Sequence, residues 1–182
     1  MPFAKTDFEG LLIFEPKVFE DNRGYFFESY NYNTCKADGV DINFVQDNQA
    51  SSEYGVIRGL HYQLEPHAQT KFVRVLSGTI LDVVVDLRKA SATYGKSFSI
   101  ELSAENKKQF LVPKGFAHGY AVLSKTAEVL YKCDAYYNKE TEAGIIYNDP
   151  HLNIDWKIPT DKAIISDKDL NQPFFKDCKN NF

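Results

Sequence analysis

Lys71-Phe72-Val73-Arg74-Val75-Leu76-Ser77-Gly78-Thr79-Ile80-Leu81-Asp82-Val83-Val84-Val85-Asp86-Leu87 is the stretch on which the fold turns. A regular strand over Lys71 to Leu76 sets Lys71, Val73 and Val75 on one face, so the lysine points the same way as two valines. Ser77-Gly78 is a turn signal. Thr79 to Leu87 is rich in β-branched residues, the composition of a buried strand. Two strands in a tight succession are therefore predicted, one of them carrying a cation on an inward face.

Working outward, similar signals recur on both sides. Upstream, Val56 to Gln63 reads as a strand, preceded by a loop over Ser51 to Gly55 and a strand over Phe44 to Gln49. Tyr30 to Ala37 allows one or two helical turns, ended near Gly39. Phe8 to Phe19 is an apolar run stopped by Pro16, followed by a polar turn at Glu20 to Gly24 and a further strand from Tyr25. Downstream, strands are predicted at Lys96 to Leu102 and Lys108 to Val112, separated by the turn Ser103 to Asn106. Pro113 to Phe116 is a breaker, and strands follow at His118 to Leu123 and Ala127 to Ala135. Short strands at intervals of about ten residues, with no βαβ alternation, predict an antiparallel sandwich or barrel. The expectation is an all-β jelly-roll barrel with short peripheral helices. Its core covers about 8–136, and a C-terminal segment, about 137–182, wraps it within a single domain. Ser166 is a candidate helix start in that tail.

The composition bounds the function. At 182 residues the chain can bury a core without metals or disulfides. Its 14 Phe and 11 Tyr favour strands. A net charge of −4 gives no general attraction for nucleic acid or anionic lipid. Cys35, Cys133 and Cys178 fit neither a disulfide framework nor a zinc ribbon and read as reduced thiols. With no apolar run long enough to span a bilayer and no signal segment, a cytoplasmic location is expected.

The candidate chemistry centres on Val56-Ile57-Arg58-Gly59-Leu60-His61-Tyr62-Gln63. A strand histidine alone is more often a satisfied core residue than a catalyst. Metal-binding jelly rolls usually carry His-x-His on one strand, and here Gln63 stands two beyond His61, which argues against a metal. Metal-free acid–base chemistry needs a base, an acid and a cation for developing negative charge. His61, Tyr131 and Lys71 offer these, although Lys71 also suits a solvated edge strand and Tyr131 suits core packing. Asp169 falls at capping-box spacing from Ser166, so the residues alone make it a helix cap. Arg58, Arg23 and Lys168 are cations suited to an anionic group. Tyr136-Tyr137 is either a stacking platform or an exposed loop pair, and His67 and His151 read as surface residues.

Taken together, the motifs closely resemble the dTDP-4-dehydrorhamnose 3,5-epimerase family. They run in order through FEPKVFEDNRGYFFES (Phe14 to Ser29), NFVQDNQASS (Asn43 to Ser52), VIRGLHYQ (Val56 to Gln63) and QTKFVRVLSG (Gln69 to Gly78). They continue in VVVDLRKASATYGK (Val83 to Lys96), VPKGFAHGYAVLS (Val112 to Ser124), LYKCDAYY (Leu130 to Tyr137), NDPHLNIDW (Asn148 to Trp156) and ISDKD (Ile165 to Asp169). The resemblance implies a cupin-type jelly roll, a homodimer, no cofactor, and inversion of C3 and C5 of dTDP-4-dehydro-6-deoxy-glucose through enolates. It further implies that His61 is the base, oriented by Asp169, that Tyr131 returns a proton from the opposite face, and that Lys71 lies near the C4 oxygen. His118 and Arg58 would hold the sugar nucleotide, the arginine on its diphosphate. Arg23, Glu28, Gln46, Asp47 and Asn48 match positions around the nucleotide, some of them supplied by a partner subunit. Tyr137 matches an aromatic near the thymidine, and Glu142 and Lys168 match binding positions.

Three rivals stand beside that reading. A mono-epimerase acting on a related dTDP-4-keto-6-deoxy sugar is the nearest, and solvent exchange at a single carbon would identify it. A barrel that only binds sugar nucleotide predicts no exchange. A metal-dependent cupin predicts stoichiometric metal.

Overall fold

The computed structural model of the chain describes residues 2–182. In chain order the elements are β1 (Phe3–Lys5), β2 (Leu12–Phe14), β3 (Phe19–Asp21), β4 (Gly24–Phe26), α1 (Tyr32–Ala37), β5 (Gln46–Glu53), β6 (Ile57–Gln63) and β7 (Lys71–Ser77). They continue with β8 (Thr79–Asp86), β9 (Ser97–Ser103), β10 (Gln109–Val112), β11 (Phe116–Val122), β12 (Thr126–Cys133), β13 (Glu142–Gly144) and α2 (Asp167–Leu170). Three short 3₁₀ turns lie in the C-terminal segment.

Two antiparallel sheets carry the architecture. One has the order β1-β2-β10-β7-β12-β5, the other β13-β6-β11-β8-β9, and β3 with β4 forms a separate hairpin. The expected barrel is thus two sheets face to face, not one hydrogen-bonded cylinder. Between them lies a core of Val73 and Val75 from β7, Ile80 and Val84 from β8, Leu102, Phe110, Tyr120, Val122 and Val129.

The seven-residue buried run of β8 follows from its position. Ile80 and Val84 face the inter-sheet core, whereas Leu81, Val83, Val85 and Leu87 face a second cluster built with the tail residues Ile145, Leu152 and Trp156. A strand covered on both faces needs apolar residues at successive positions, not alternate ones. Trp156 donates its indole N–H to the Tyr147 carbonyl at 2.8 Å, which satisfies its one polar atom inside that cluster. A third cluster, with Phe14, Cys35, Val40, Phe72 and Leu111, lies against α1.

Local departures from the sequence reading have tertiary causes. Ser51 to Glu53 is strand, not loop, because β5 pairs with β12 along its full length, from Gln46↔Cys133 to Glu53↔Thr126. Phe116 belongs to β11, where it pairs with Asp86. β1 lies outside the predicted strands and is held by pairing with β2. His67 is half-buried, not a surface residue, and its Nε2 meets the Asn138 amide at 3.4 Å. His151 is exposed and stacks on Phe175.

Candidate active site

His61 and His118 are directly opposite one another in the β6–β11 ladder. The facing sheet contributes Lys71 at the start of β7 and Tyr131 in β12, where Tyr131 pairs with Val73 and with Asn48. All four side chains line one cavity of about 540 Å³ together with Arg58, Tyr120, Ser166, Lys168 and Asp169. A smaller adjoining space of about 200 Å³ is lined by Gln46, Asn48, Gln63, Tyr137 and Glu142. His61, Lys71 and Tyr131 line both spaces, so they form the waist between them.

The position of His61 depends on two glycines. A Cβ on Gly59 would meet the Gly119 Cα at 2.6 Å, and Gly59 has φ +129°, a backbone region that L side chains rarely adopt. A Cβ on Gly119 would meet the Arg58 carbonyl oxygen at 2.7 Å. Only glycines allow β6 and β11 to approach this closely behind the two histidines.

Asp169 reaches His61 from α2. Ser166 caps that short helix by accepting the Asp169 N–H at 3.2 Å, as the spacing predicts. The Asp169 carboxylate serves a different partner: Oδ1 lies 2.5 Å from His61 Nε2, and Oδ2 accepts the Gly59 N–H at 3.3 Å. The carboxylate is 5% exposed and the imidazole 32%. Burial pushes the Asp169 carboxyl up, but His61, the Gly59 N–H and Ser166 outweigh it and hold the group below the ordinary aspartate value. An ionised Asp169 fixes a proton on Nε2 and leaves Nδ1 of His61 as the acceptor.

His118 forms a second pair. Its Nε2 lies 2.9 and 3.0 Å from the two oxygens of Asp82, which is fully buried in the middle of β8. The sequence reading missed Asp82. A carboxylate inside the otherwise apolar run TILDVVVDL was the available signal, because such a group is rarely buried without a partner. Asp86, also in that run, is held by Arg88, Ser91 and Thr93 at the strand end, away from the cavity lining.

The Lys71 ammonium forms no hydrogen bond or ion pair among the described residues, and it stands 5.9 Å from the Tyr131 ring centroid. Burial pushes its pKa down, opposed by Cys133, Asp82 and Glu142. Burial likewise pushes the Tyr131 phenol up to about 12, so it is a proton donor at neutral pH. A desolvated ammonium with no carboxylate bonded to it is suited to a developing oxyanion.

Other sequence-selected residues divide according to strand parity. Gln46 and Asn48 point into the smaller space, where the Gln46 amide donates to Asn48 at 2.9 Å. Asp47, between them, is exposed on the other face and pairs with Lys132 at 3.0 Å. Lys168 forms an ion pair with Glu142, and Tyr137 donates to Glu142 at 3.1 Å, which ties α2 to β13 at the cavity mouth. Arg23 is 85% exposed in the β3–β4 hairpin, bound to Asp21, and Glu28 accepts from the Asn31 amide at 2.9 Å. Neither lines the His61 cavity of its own chain. Among the described residues no group of three or more His, Cys, Asp or Glu side chains is arranged to hold a metal ion.

A family model described as dTDP-4-dehydrorhamnose 3,5-epimerase matches residues 5–177. The chain belongs to that family. A curated dTDP-4-dehydrorhamnose 3,5-epimerase from Shigella flexneri is 51% identical over 179 residues, covering 98% of each chain. The crystal structure of a family member from Elizabethkingia anophelis is 54% identical, with a TM-score of 0.93 and 98% of each chain covered. A dTDP-6-deoxy-D-glucose-3,5-epimerase from Legionella pneumophila, solved in complex with dTDP-4-keto-L-rhamnose, has a TM-score of 0.91 at 44% identity, covering 96% of this chain and 92% of that one. The two sheets described above are the jelly roll of this epimerase family. No helix among the described residues is long and apolar enough to cross a membrane.

Proposed function

We propose that this chain is a cofactor-independent dTDP-4-dehydrorhamnose 3,5-epimerase of dTDP-L-rhamnose biosynthesis, inverting C3 and C5 of dTDP-4-dehydro-6-deoxy-D-glucose to give dTDP-4-dehydro-L-rhamnose. The observation that carries the reading is the division of the cavity between two sheets. His61, tied to Asp169, projects from one, and Tyr131 projects from the facing one with Lys71 beside it.

That division suits proton exchange on two faces of a flat intermediate. C3 and C5 both flank the C4 ketone. Nδ1 of His61 takes the proton from one of these carbons, and the C–H electron pair moves through the new carbon–carbon double bond onto the C4 oxygen. The Lys71 ammonium stabilises that oxyanion, which lowers the barrier to enolisation. Tyr131 then gives its proton to the other face, leaving the carbon inverted, and exchange with solvent restores His61 and Tyr131. No electron is lost or gained overall. Arg58 and His118 hold the sugar nucleotide, the arginine on its diphosphate, and Gln46, Asn48, Tyr137, Glu142 and Lys168 supply further contacts to it.

The reading includes a homodimer. Its support is that Arg23 and Glu28 match nucleotide-binding positions of the family but do not line the cavity of their own chain. A second copy supplying its β3–β4 hairpin accounts for both facts. It also includes a cytoplasmic location, supported by three free thiols.

The test is proton NMR of the dTDP-4-keto sugar with the protein in deuterated water. Deuterium at both C3 and C5, with the rhamno product, is the expected result. Exchange at one carbon alone would make the chain a mono-epimerase.

A further inference from the structure

Tyr120 lines the same cavity as Arg58 and His61 and takes no part in the proton transfers described above. The residue is 5% exposed, and its buried hydroxyl makes no hydrogen bond of regular geometry, although the Ser52 hydroxyl, which accepts from Arg58, lies beside it. Leaving a buried hydroxyl unsatisfied destabilises the fold, because the group loses its hydration without gaining a partner. Buried tyrosine hydroxyls usually have a partner, so the orphan suggests a group that arrives with a ligand.

The neighbours of that hydroxyl narrow the partner. Tyr120 pairs with Arg58 in the β6–β11 ladder. Arg58 donates through Nε to the Ser52 hydroxyl at 3.0 Å, which anchors the guanidinium and leaves its terminal nitrogens uncommitted among the described residues. Tyr131 and His61, the groups proposed to handle the sugar carbons, line the same space. A site with a fixed guanidinium and an adjacent phenol whose proton has no acceptor of regular geometry suits an anionic oxygen next to the sugar.

We infer that Tyr120 is a substrate-binding residue whose hydroxyl donates a hydrogen bond to an oxygen of the sugar-side phosphate, the phosphate that Arg58 holds. The inference rests on the proposed nucleotide-sugar function. It separates Tyr120 from Tyr131: one phenol binds, the other transfers a proton. Burial pushes the Tyr120 phenol up, which keeps it protonated as a donor.

The test compares Tyr120→Phe with wild type by calorimetric titration of dTDP and dTMP, by steady-state kinetics and by thermal unfolding without ligand. Loss of a hydrogen bond to a charged acceptor should weaken dTDP binding by roughly tenfold. Binding of dTMP, which lacks the sugar-side phosphate, should change less than about twofold if that phosphate is the acceptor. KM should rise in parallel with the loss of dTDP affinity while kcat holds, the pattern of a uniformly lost contact. The ligand-free variant should unfold at the same temperature or higher, because an unsatisfied hydroxyl has been removed. Equal dTDP affinity in the two proteins would overturn the inference, as would a fall in kcat at constant KM. A lowered unfolding temperature with equal loss of dTDP and dTMP binding would make the hydroxyl structural and overturn it too. Failure of the wild-type protein to bind dTDP would instead overturn the function on which it rests.

Discussion

His61 and Asp169 are 108 positions apart in sequence, and their side chains meet at 2.5 Å between Nε2 and Oδ1. The pair links an inner strand of one sheet to a four-residue helix in the C-terminal tail. Its chemical consequence is a fixed tautomer. Asp169→Asn can accept a hydrogen bond through its carbonyl but removes the charge that stabilises the imidazolium formed on proton abstraction. Turnover should fall by about 10²–10⁴-fold, the range of general-base contributions. His61→Asn should abolish deuterium exchange at both carbons while leaving dTDP binding, read by calorimetry, within a few-fold of wild type.

Tyr131→Phe separates the two halves of the reaction. His61 still removes the proton and Lys71 still faces the oxyanion, so exchange should persist while inversion is lost. NMR should show deuterium entering a substrate of unchanged configuration. Full epimerisation by this variant would remove Tyr131 as the donor.

The Asp169 pair also predicts a pH dependence of stability. Its carboxyl is depressed in the folded chain, so it contributes stability that is present above the unfolded value, about 3.9, and lost as pH falls through the folded value. Urea unfolding should show wild type more stable than Asp169→Asn at pH 7, with the gap closing below about pH 4. A gap that widens in acid would reverse the assignment.

Gly59→Ala tests the close approach of β6 and β11. The added methyl would lie 2.6 Å from the Gly119 Cα at a φ of +129°. Both terms oppose it, so a loss of at least about 1–3 kcal/mol is expected, read by denaturant unfolding. Displacement of His61 should lower turnover as well.

Subunit complementation tests the proposed dimer. At low substrate concentration, Arg23→Ala and His61→Asn should each be poorly active. Denatured together and refolded, they should regain roughly a quarter of wild-type activity, because half the dimers carry one intact site. No recovery would mean that Arg23 serves no partner cavity.

Much of the fold was legible because strand signals are local. The β-branched run of β8, the turn at Gly78 and the inward face shared by Lys71, Val73 and Val75 all follow from a two-residue period and turn chemistry. β5 was less legible: Gln46 to Glu53 is a polar run, and only its partner β12 makes all of it strand. The same parity that turns Gln46 and Asn48 inward turns Asp47 to Lys132 and the solvent, which a matched motif cannot reveal.

The sequence by itself determined the strand-rich architecture, the Ser166 cap and the set of residue types able to run acid–base chemistry. The family resemblance then supplied their expected roles. The resemblance had paired Asp169 with His61, whereas tertiary structure alone paired Asp82 with His118. Read locally, Asp169 is a helix cap and Asp82 an anomaly in an apolar strand, yet each lies against an imidazole carried by another element. The reason is range. Periodicity and capping act over a few residues, whereas the environment of a buried charge is fixed by whatever the folded chain brings within hydrogen-bond distance of it.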